Sequence, residues 1–338
     1  MNLRGLFMQH AKVVVVTGAS AGLGRAIAHE FASAGLAVGL ISRDREALES
    51  AAAEIERLGS RAAIFVADVS DDAAVESAAT YFEEQLGPID IWVNNAMVSV
   101  FSPIAQMNAQ EFRRVTEVNY LGFVHGTLSA LKRMVPRNRG RIIQIGSALA
   151  YRSIPLQSAY CATKHAIVGF TDSLRCELAH DKSNIKVCVV HMPAMNTPQF
   201  TWVKNNLGRK PQPVPPIYQP EVGARMVVHA ALTKSPHREY WVGGSTVKAI
   251  VAQKFIPGLL DAYLGKTGYD SQQLDVPDPP DRPNNLWQPV SSPYGAHGPF
   301  DGRSLPLSLE ATVTRNFCRV ATACGFIAGL IAVKKIRG

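Results

Sequence analysis

The chain has 338 residues, 47% of them hydrophobic, enough to bury one large core and still carry appendages. Its formal net charge is +8, but the basic residues are scattered apart from a concentration near the C-terminus; without a basic-aromatic stripe or zinc-ligand spacing, nucleic-acid recognition and a metal site are excluded. The five cysteines (Cys161, Cys176, Cys188, Cys318 and Cys324) are odd in number and dispersed in mostly apolar segments, the usage of a reduced, cytoplasmic protein rather than a disulfide framework.

The first eleven residues do not read as a secretory signal and lead straight into residues 12–16, an apolar run typical of a buried parallel strand. Thr17-Gly18-Ala19-Ser20-Ala21-Gly22-Leu23-Gly24 follows, then an amphipathic helix to about residue 34. Strand, glycine-rich turn and helix together present backbone N–H groups to a phosphate. The glycine spacing is G-x-x-x-G-x-G, not the commoner G-x-G-x-x-G. A second strand, 37–41, ends in Ser42-Arg43-Asp44-Arg45, where a dinucleotide fold meets the adenosine ribose. An acidic residue there would accept from the 2′-hydroxyl. Arg43 suits a 2′-phosphate, so NADP(H) is favoured over NAD(H).

A helix over 45–58 stops at Gly59, and a third strand, 62–66, runs to Asp68-Val69. The next helix spans 71–86, with Ser70 as its cap. A fourth strand, 89–93, precedes Asn94-Asn95-Ala96-Met97. One long helix is expected over 108–134, with Asn119 near its middle. Strands over 141–145 and 185–191 flank a helix that ends near residue 180. This alternation predicts an α/β fold: a Rossmann-like, doubly wound parallel sheet of about seven strands flanked by helices.

Beyond Met192, Pro193-Ala194-Met195-Asn196-Thr197-Pro198 opens a proline-rich loop that ends near Pro220. Such a loop follows the carboxyl end of a strand, where ligands bind in these sheets. Its apolar members, Phe200, Trp202 and Tyr218 among them, either cover a lipophilic substrate or plug the core. A helix over 221–232, a seventh strand over 239–242 and a helical stretch over 246–264, interrupted by Pro257-Gly258, complete a catalytic domain of residues 1–265. Residues 266–312 read as an extended or loosely docked linker. Residues 313–338 read as an apolar helix with a basic end. Its uninterrupted apolar part, 320–333, is shorter than the ~20 residues of a full span. Gly325 and Gly329 would suit helix pairing in lipid. Two readings stay open: membrane attachment, spanning or interfacial, and a helix packed on a partner subunit.

The chemistry gathers between residues 142 and 170. Tyr160 and Lys164 lie one helical turn apart, hence on one face. A free phenol has a pKa of ~10, and a nearby ammonium favours the phenolate. Ser147, at the end of the fifth strand, can hold a carbonyl oxygen beside the phenol. That set can protonate an alkoxide as hydride reaches carbon. Cys161 points elsewhere on the helix, and His165 and His191 lack partners at metal-ligand spacing.

With the Thr17–Gly24 turn, Asp68-Val69, Asn94-Asn95-Ala96, Asn119, Ser147, Tyr160-Cys161-Ala162-Thr163-Lys164, and Pro193 with Thr197 in this order, the sequence resembles the short-chain dehydrogenases/reductases over about residues 10–245. The resemblance implies an oxidoreductase interconverting a secondary alcohol and a ketone. It implies that Gly18, Ser20, Gly22, Leu23 and Gly24 receive the cofactor's pyrophosphate. Asp68 would bond the adenine amine, Val69 would pack on the ring, and Asn95 would line the cofactor. Tyr160 would be the general acid or base, with Lys164 lowering its pKa and binding the nicotinamide ribose. Ser147 would fix the substrate oxygen, and Asn119 would hold a water joining Lys164 to solvent. Pro193 and Thr197 would seat the carboxamide. Met97 and Ala194 stand where the family has glycine, and Ala21 lacks the basic side chain of many NADP-preferring members. The tail, with Asn285-Leu286-Trp287 and Gly295-Ala296-His297-Gly298, resembles that of a longer, membrane-associated bacterial branch. Family members commonly pair through the helices bearing Asn119 and Tyr160, so a homodimer or homotetramer is expected. The competing readings are a non-catalytic dinucleotide sensor or scaffold at a membrane, and a sugar epimerase or dehydratase.

Overall fold

The computed structural model describes residues 12–292 and 294–316. Seven parallel strands form one sheet: β1 (Val13–Thr17), β2 (Ala37–Ser42), β3 (Ala62–Val66), β4 (Ile89–Asn94), β6 (Arg141–Ser147), β7 (Lys186–Met192) and β11 (Glu239–Trp241). Their order is β11-β7-β6-β4-β1-β2-β3. Every residue of β1 is buried, because helices cover both faces of the sheet.

The period of two along β1 divides the core. Val14 and Val16 join Ile27 and Phe31 of α1 (Gly22–Ser33), Leu48 and Ile55 of α2 (Arg45–Arg57) and Met226 of α8 (Pro220–Leu232). Val13 and Val15 join Phe82 of α3 (Asp72–Leu86), Met134 of α5 (Gly122–Met134) and Leu174 of α6 (Ser158–His180). Strand order reverses at β1, where β2 lies on one side and β4 on the other. The crevice beyond the carboxyl ends of β1 and β4 is where such sheets bind ligands.

The sheet and its helices follow the sequence closely, with local differences. The helix expected from residue 71 begins one residue later, capped by Asp71, which accepts from the Ala74 N–H at 3.0 Å. Ser70, the expected cap, instead donates its hydroxyl to Asp68 at 2.8 Å. The single helix expected over 108–134 has three parts: α4 (Ala109–Thr116), a π-helical turn (Glu117–Leu121) and α5. Asn119 sits in that turn. Both ends of its amide bond the Val98 backbone, at 2.8 and 2.9 Å, so pairing with a distant loop sets the bulge.

A polar network locks α5 to the sheet. The Asn94 amide donates to the Gln144 side chain at 2.9 Å and to the Thr127 hydroxyl at 3.1 Å, and the Trp92 indole donates to Asn94 at 2.8 Å. All of these groups are buried and mutually satisfied.

The loop after β7 holds a one-turn helix, α7 (Gln199–Trp202), and short strands β8 (Lys204–Asn205), β9 (Arg209–Pro211) and β10 (Ile217–Tyr218). β8 pairs with β5 (Val100–Phe101). After β11, α9 (Gly244–Phe255) and α10 (Pro257–Thr267) follow one another, broken at Ile256 with Pro257 opening the second. The segment expected as a linker is not loosely docked. Its β12 (Gln273–Pro277) pairs with β9, its β13 (Ser304–Leu305) pairs with β10, and Leu286 is wholly buried. A single α11 (Leu309–Arg315) ends the described chain. Polar composition concealed this docking because much of it uses backbone carbonyls, which every residue carries. Among the described residues no helix is long and apolar enough to cross a membrane; the apolar run 320–333, with Cys318 and Cys324, lies outside them.

Candidate active site

One cavity of about 490 Å³ opens at the carboxyl end of the sheet. Every residue expected to bind cofactor or take part in chemistry lines it, except Asn119. The glycine turn forms its floor. Gly18 has φ +66°, and a Cβ there would come within 2.8 Å of the Ala96 backbone. A Cβ on Gly24 would run into the Gly18 carbonyl. These two glycines therefore let α1 start hard against β1 with its first turn at the cavity, where the Gly22 N–H is taken by the Gly295 carbonyl at 3.0 Å. Thr17 ties the turn to β4, its hydroxyl accepting from the Asn95 and Ala96 N–H groups at 2.9 and 3.0 Å. Asn95 returns a bond to the Thr17 carbonyl at 2.9 Å.

At the β2 end, Arg43 faces the cavity, but one edge of its guanidinium is committed to the chain's own tail. It donates to the carbonyls of Asn285 (2.6 Å) and Trp287 (3.0 Å). Asp68 also lines the cavity, with its carboxylate bonded by Arg114 and Ser70. Burial raises its pKa, yet the Arg114 and Ser70 hydrogen bonds outweigh that and hold it below the usual carboxylate range. Arg114 escaped the sequence reading. It is buried, pairs with Asp68, donates to the Leu286 carbonyl at 3.0 Å and lies 5.7 Å from the Trp287 ring centre.

At the other end, the strand-to-loop break after β6 puts Ser147 beside Tyr160 of α6. Its side chain accepts from the Leu149 N–H at 3.1 Å. Lys164 is almost wholly buried: its Nζ donates to the Ile145 carbonyl at 2.7 Å and lies 4.7 and 5.5 Å from the Phe123 and Tyr160 ring centres. Burial lowers the Lys164 pKa to about 7. Burial likewise raises the Tyr160 pKa, against a smaller opposing contact with Ser147. In the chain alone the apolar surroundings thus disfavour both charges, the phenolate and the ammonium. Asn119 stands one layer back. Its side chain is spent on Val98, with a 3.5 Å approach to the Thr163 hydroxyl.

Behind Ser147 lies a second missed cluster. His191 is wholly buried, and its Nδ1–H donates to the Ser147 carbonyl at 3.1 Å. Its Nε2 lies 3.4 Å from Glu239 without an aligned hydrogen bond, and Glu239 accepts from Tyr151 (2.7 Å) and Trp241 (3.2 Å). Burial pushes the Glu239 pKa up, but the nearby His191 and the Tyr151 bond bring it down to about 2. No local spacing announces residues that meet from strands and loops so far apart.

The remaining wall is mostly apolar, with Leu149, Ile154, Met195, Phe200, Leu260 and Leu264 beside Met97 and Ala194, and it also carries Arg152, Gln157 and Gln272. The glycine turn at the start of α1 and a channel from Arg43 to Lys164 fit an extended dinucleotide.

Comparison with known proteins agrees. The short chain dehydrogenase family profile matches residues 12–207. The chain is 29% identical over 323 residues to an uncharacterized oxidoreductase of Bacillus subtilis, YxnA, covering 95% of this chain and 89% of that protein. It is 32% identical over 240 residues to a fatty acyl-CoA reductase of Acinetobacter baylyi, covering 70% of this chain and 78% of that protein. Among solved structures it is similar to a short-chain dehydrogenase from Streptomyces avermitilis (TM-score 0.65, 25% identity, 79% of this chain and 100% of that one). It is also similar to a metagenomic short-chain oxidoreductase in complex with NADP (TM-score 0.58, 29% identity, 68% of this chain and 96% of that one). Because the matched stretch includes both the glycine turn and the Tyr160 helix, the chain belongs to the short-chain dehydrogenases, a family of oxidoreductases.

Proposed function

We propose that the protein is an NADP(H)-dependent oxidoreductase that interconverts an apolar secondary alcohol and its ketone, with Tyr160 as the general acid or base. The observation that carries this reading is the meeting of Ser147, Tyr160 and Lys164 at one end of a channel whose other end holds the glycine turn and Arg43. A bound nicotinamide supplies the hydride; the chain supplies position and a proton. Ser147 and the Tyr160 hydroxyl hold the substrate oxygen between them. Tyr160, kept neutral by burial, is in the form that donates a proton when a ketone is reduced. Lys164 binds the nicotinamide ribose, and the Glu239–His191 pair holds the Ser147 backbone in register. Pro193 and Thr197 seat the carboxamide, and Asn119 fixes the Val98 loop beside the site.

Arg43 at the end of β2, with no carboxylate at Ser42, supports NADP(H) over NAD(H). The apolar wall supports a lipophilic substrate, and the relative named as a fatty acyl-CoA reductase agrees with that. Leu121, Leu128 and Val135, exposed at seven-residue intervals along the α5 segment, support pairing of two copies through this face. The test is a screen of carbonyl compounds with NADPH, read at the nicotinamide absorbance band. Tyr160→Phe should lower turnover at least ~100-fold, the usual worth of a positioned proton donor, while cofactor binding persists. Full activity in that variant would refute the assigned role.

A further inference from the structure

The tail makes an unusual use of its backbone. Three consecutive carbonyls, those of Asn285, Leu286 and Trp287, are taken by two guanidiniums: Arg43 bonds the first and third and Arg114 the second. Between them the Leu286 side chain plugs into the core on the α3 side of the sheet, with no exposed surface. Further along, the tail crosses the start of α1. The Gly295 carbonyl accepts from the Gly22 N–H at 3.0 Å, and the Tyr294 carbonyl accepts from Arg25 at 2.8 Å. Arg25 is itself clamped by Glu54, so this anchor is rigid. The Tyr294 ring packs on Trp202 with ring centres 4.2 Å apart. Asn285, Pro289, Val290 and Tyr294 all line the cavity. The tail is thus one wall of the channel between Arg43 and the glycine turn.

Taking NADP(H) as the cofactor, we propose that residues 284–290 and 294–298 form a strap over the adenosine half of the dinucleotide, with Leu286 as a positioning residue that sets Arg43 for the 2′-phosphate. A guanidinium carries five N–H donors in a rigid plane. With one donor of each terminal nitrogen fixed on a strap carbonyl and Nη1 3.8 Å from the Asp68 carboxylate, the guanidinium is held in place at the cavity wall, so less rotamer entropy is lost when a phosphate arrives. A free Arg43 side chain would have to be ordered by the ligand itself. Closure over the start of α1 also means that the dinucleotide enters and leaves only when the strap lifts. The strap therefore contributes to cofactor choice and to cofactor residence time.

Two measurements test this on the full-length protein. First, amide hydrogen exchange of wild type should slow across 284–290 on saturation with NADPH, and slow less with NADH. Second, Leu286→Asp places a charge in the apolar socket and should detach the strap. NADPH affinity should then fall about tenfold, the worth of one charge-assisted hydrogen bond, and NADH affinity much less. NADPH release, followed by loss of bound-nucleotide fluorescence, should quicken. Circular dichroism of the variant reports whether the sheet survives, and the exchange experiment needs no variant. Exchange across 284–290 that ignores NADPH, or equal loss of both nucleotides in Leu286→Asp, overturns the strap. If wild type itself binds NADPH no better than NADH, the cofactor reading falls and takes the strap's role with it. If wild type prefers NADPH and Leu286→Asp keeps that preference, the strap alone falls.

Discussion

Lys164 shows how a single residue's surroundings outweigh its spacing. Four positions after Tyr160 it reads as a cation on the same helix face that favours the phenolate. The fold buries it against Phe123 and the Ile145 carbonyl, and its pKa drops to about 7. The sign of the consequence follows from linkage. An unfolded lysine titrates near ~10.4, so between that value and about 7 the unfolded chain binds more protons than the folded one. Stability of the cofactor-free protein should therefore rise with pH across that window. Lys164→Met removes the titrating group and should flatten the rise. Urea midpoints collected from about pH 6.5 to 9.5 for both proteins check this, and parallel curves would show that Lys164 is not the source. Arg43 is a residue of the same kind. Its position after β2 suggested a phosphate ligand, but only the assembled tail shows what orients it.

Among the elements, α5 depends most on close approach. Gly126 packs over the Trp92 indole and the Asn94 amide, and a Cβ there would overlap the Asn94 side chain and lie 2.6 Å from the Trp92 nitrogen. Neither group can yield, because each is fixed by the buried network with Thr127 and Gln144. Gly126→Ala should therefore destabilise the protein by about 1–3 kcal/mol, the usual cost of overpacking. Helix propensity alone would have alanine stabilise it. Chemical denaturation decides between the two signs. The π turn around Asn119 obeys the same logic: the apolar periodicity of 108–134 reads as one helix, and the bulge arises because Asn119 is pulled onto Val98.

For the whole molecule, the exposed apolar stripe along α5 and its two flanking residues matters most. Leu128 of α5 is 57% exposed and Val135, the residue after the helix, 56%, in line with Leu121 just before it. Light scattering of wild type should give a mass at or above a dimer. Leu128→Glu should shift that mass toward a monomer with the circular-dichroism spectrum unchanged; a wild type that is already monomeric would remove α5 as the interface. The channel also belongs to this scale. Its floor comes from the first strand and helix, its chemical end from α6, and its lid from residues more than 240 positions beyond Arg43.

By itself, the sequence determined whatever depends on local spacing. The β-branched runs and their alternation with amphipathic segments specify a parallel, doubly wound sheet of about seven strands. The glycine turn, Ser147, Tyr160 and Lys164 sit at strand ends and helix faces that periodicity locates. Tertiary structure alone decided what depends on contact between distant segments. The protonation preferences of Tyr160 and Lys164 come from burial, the Glu239–His191 support of Ser147 from neighbouring strands, and the docking of the tail from backbone carbonyls that carry no residue signature. Desolvation and long-range hydrogen bonding act between groups that meet only once the chain has folded.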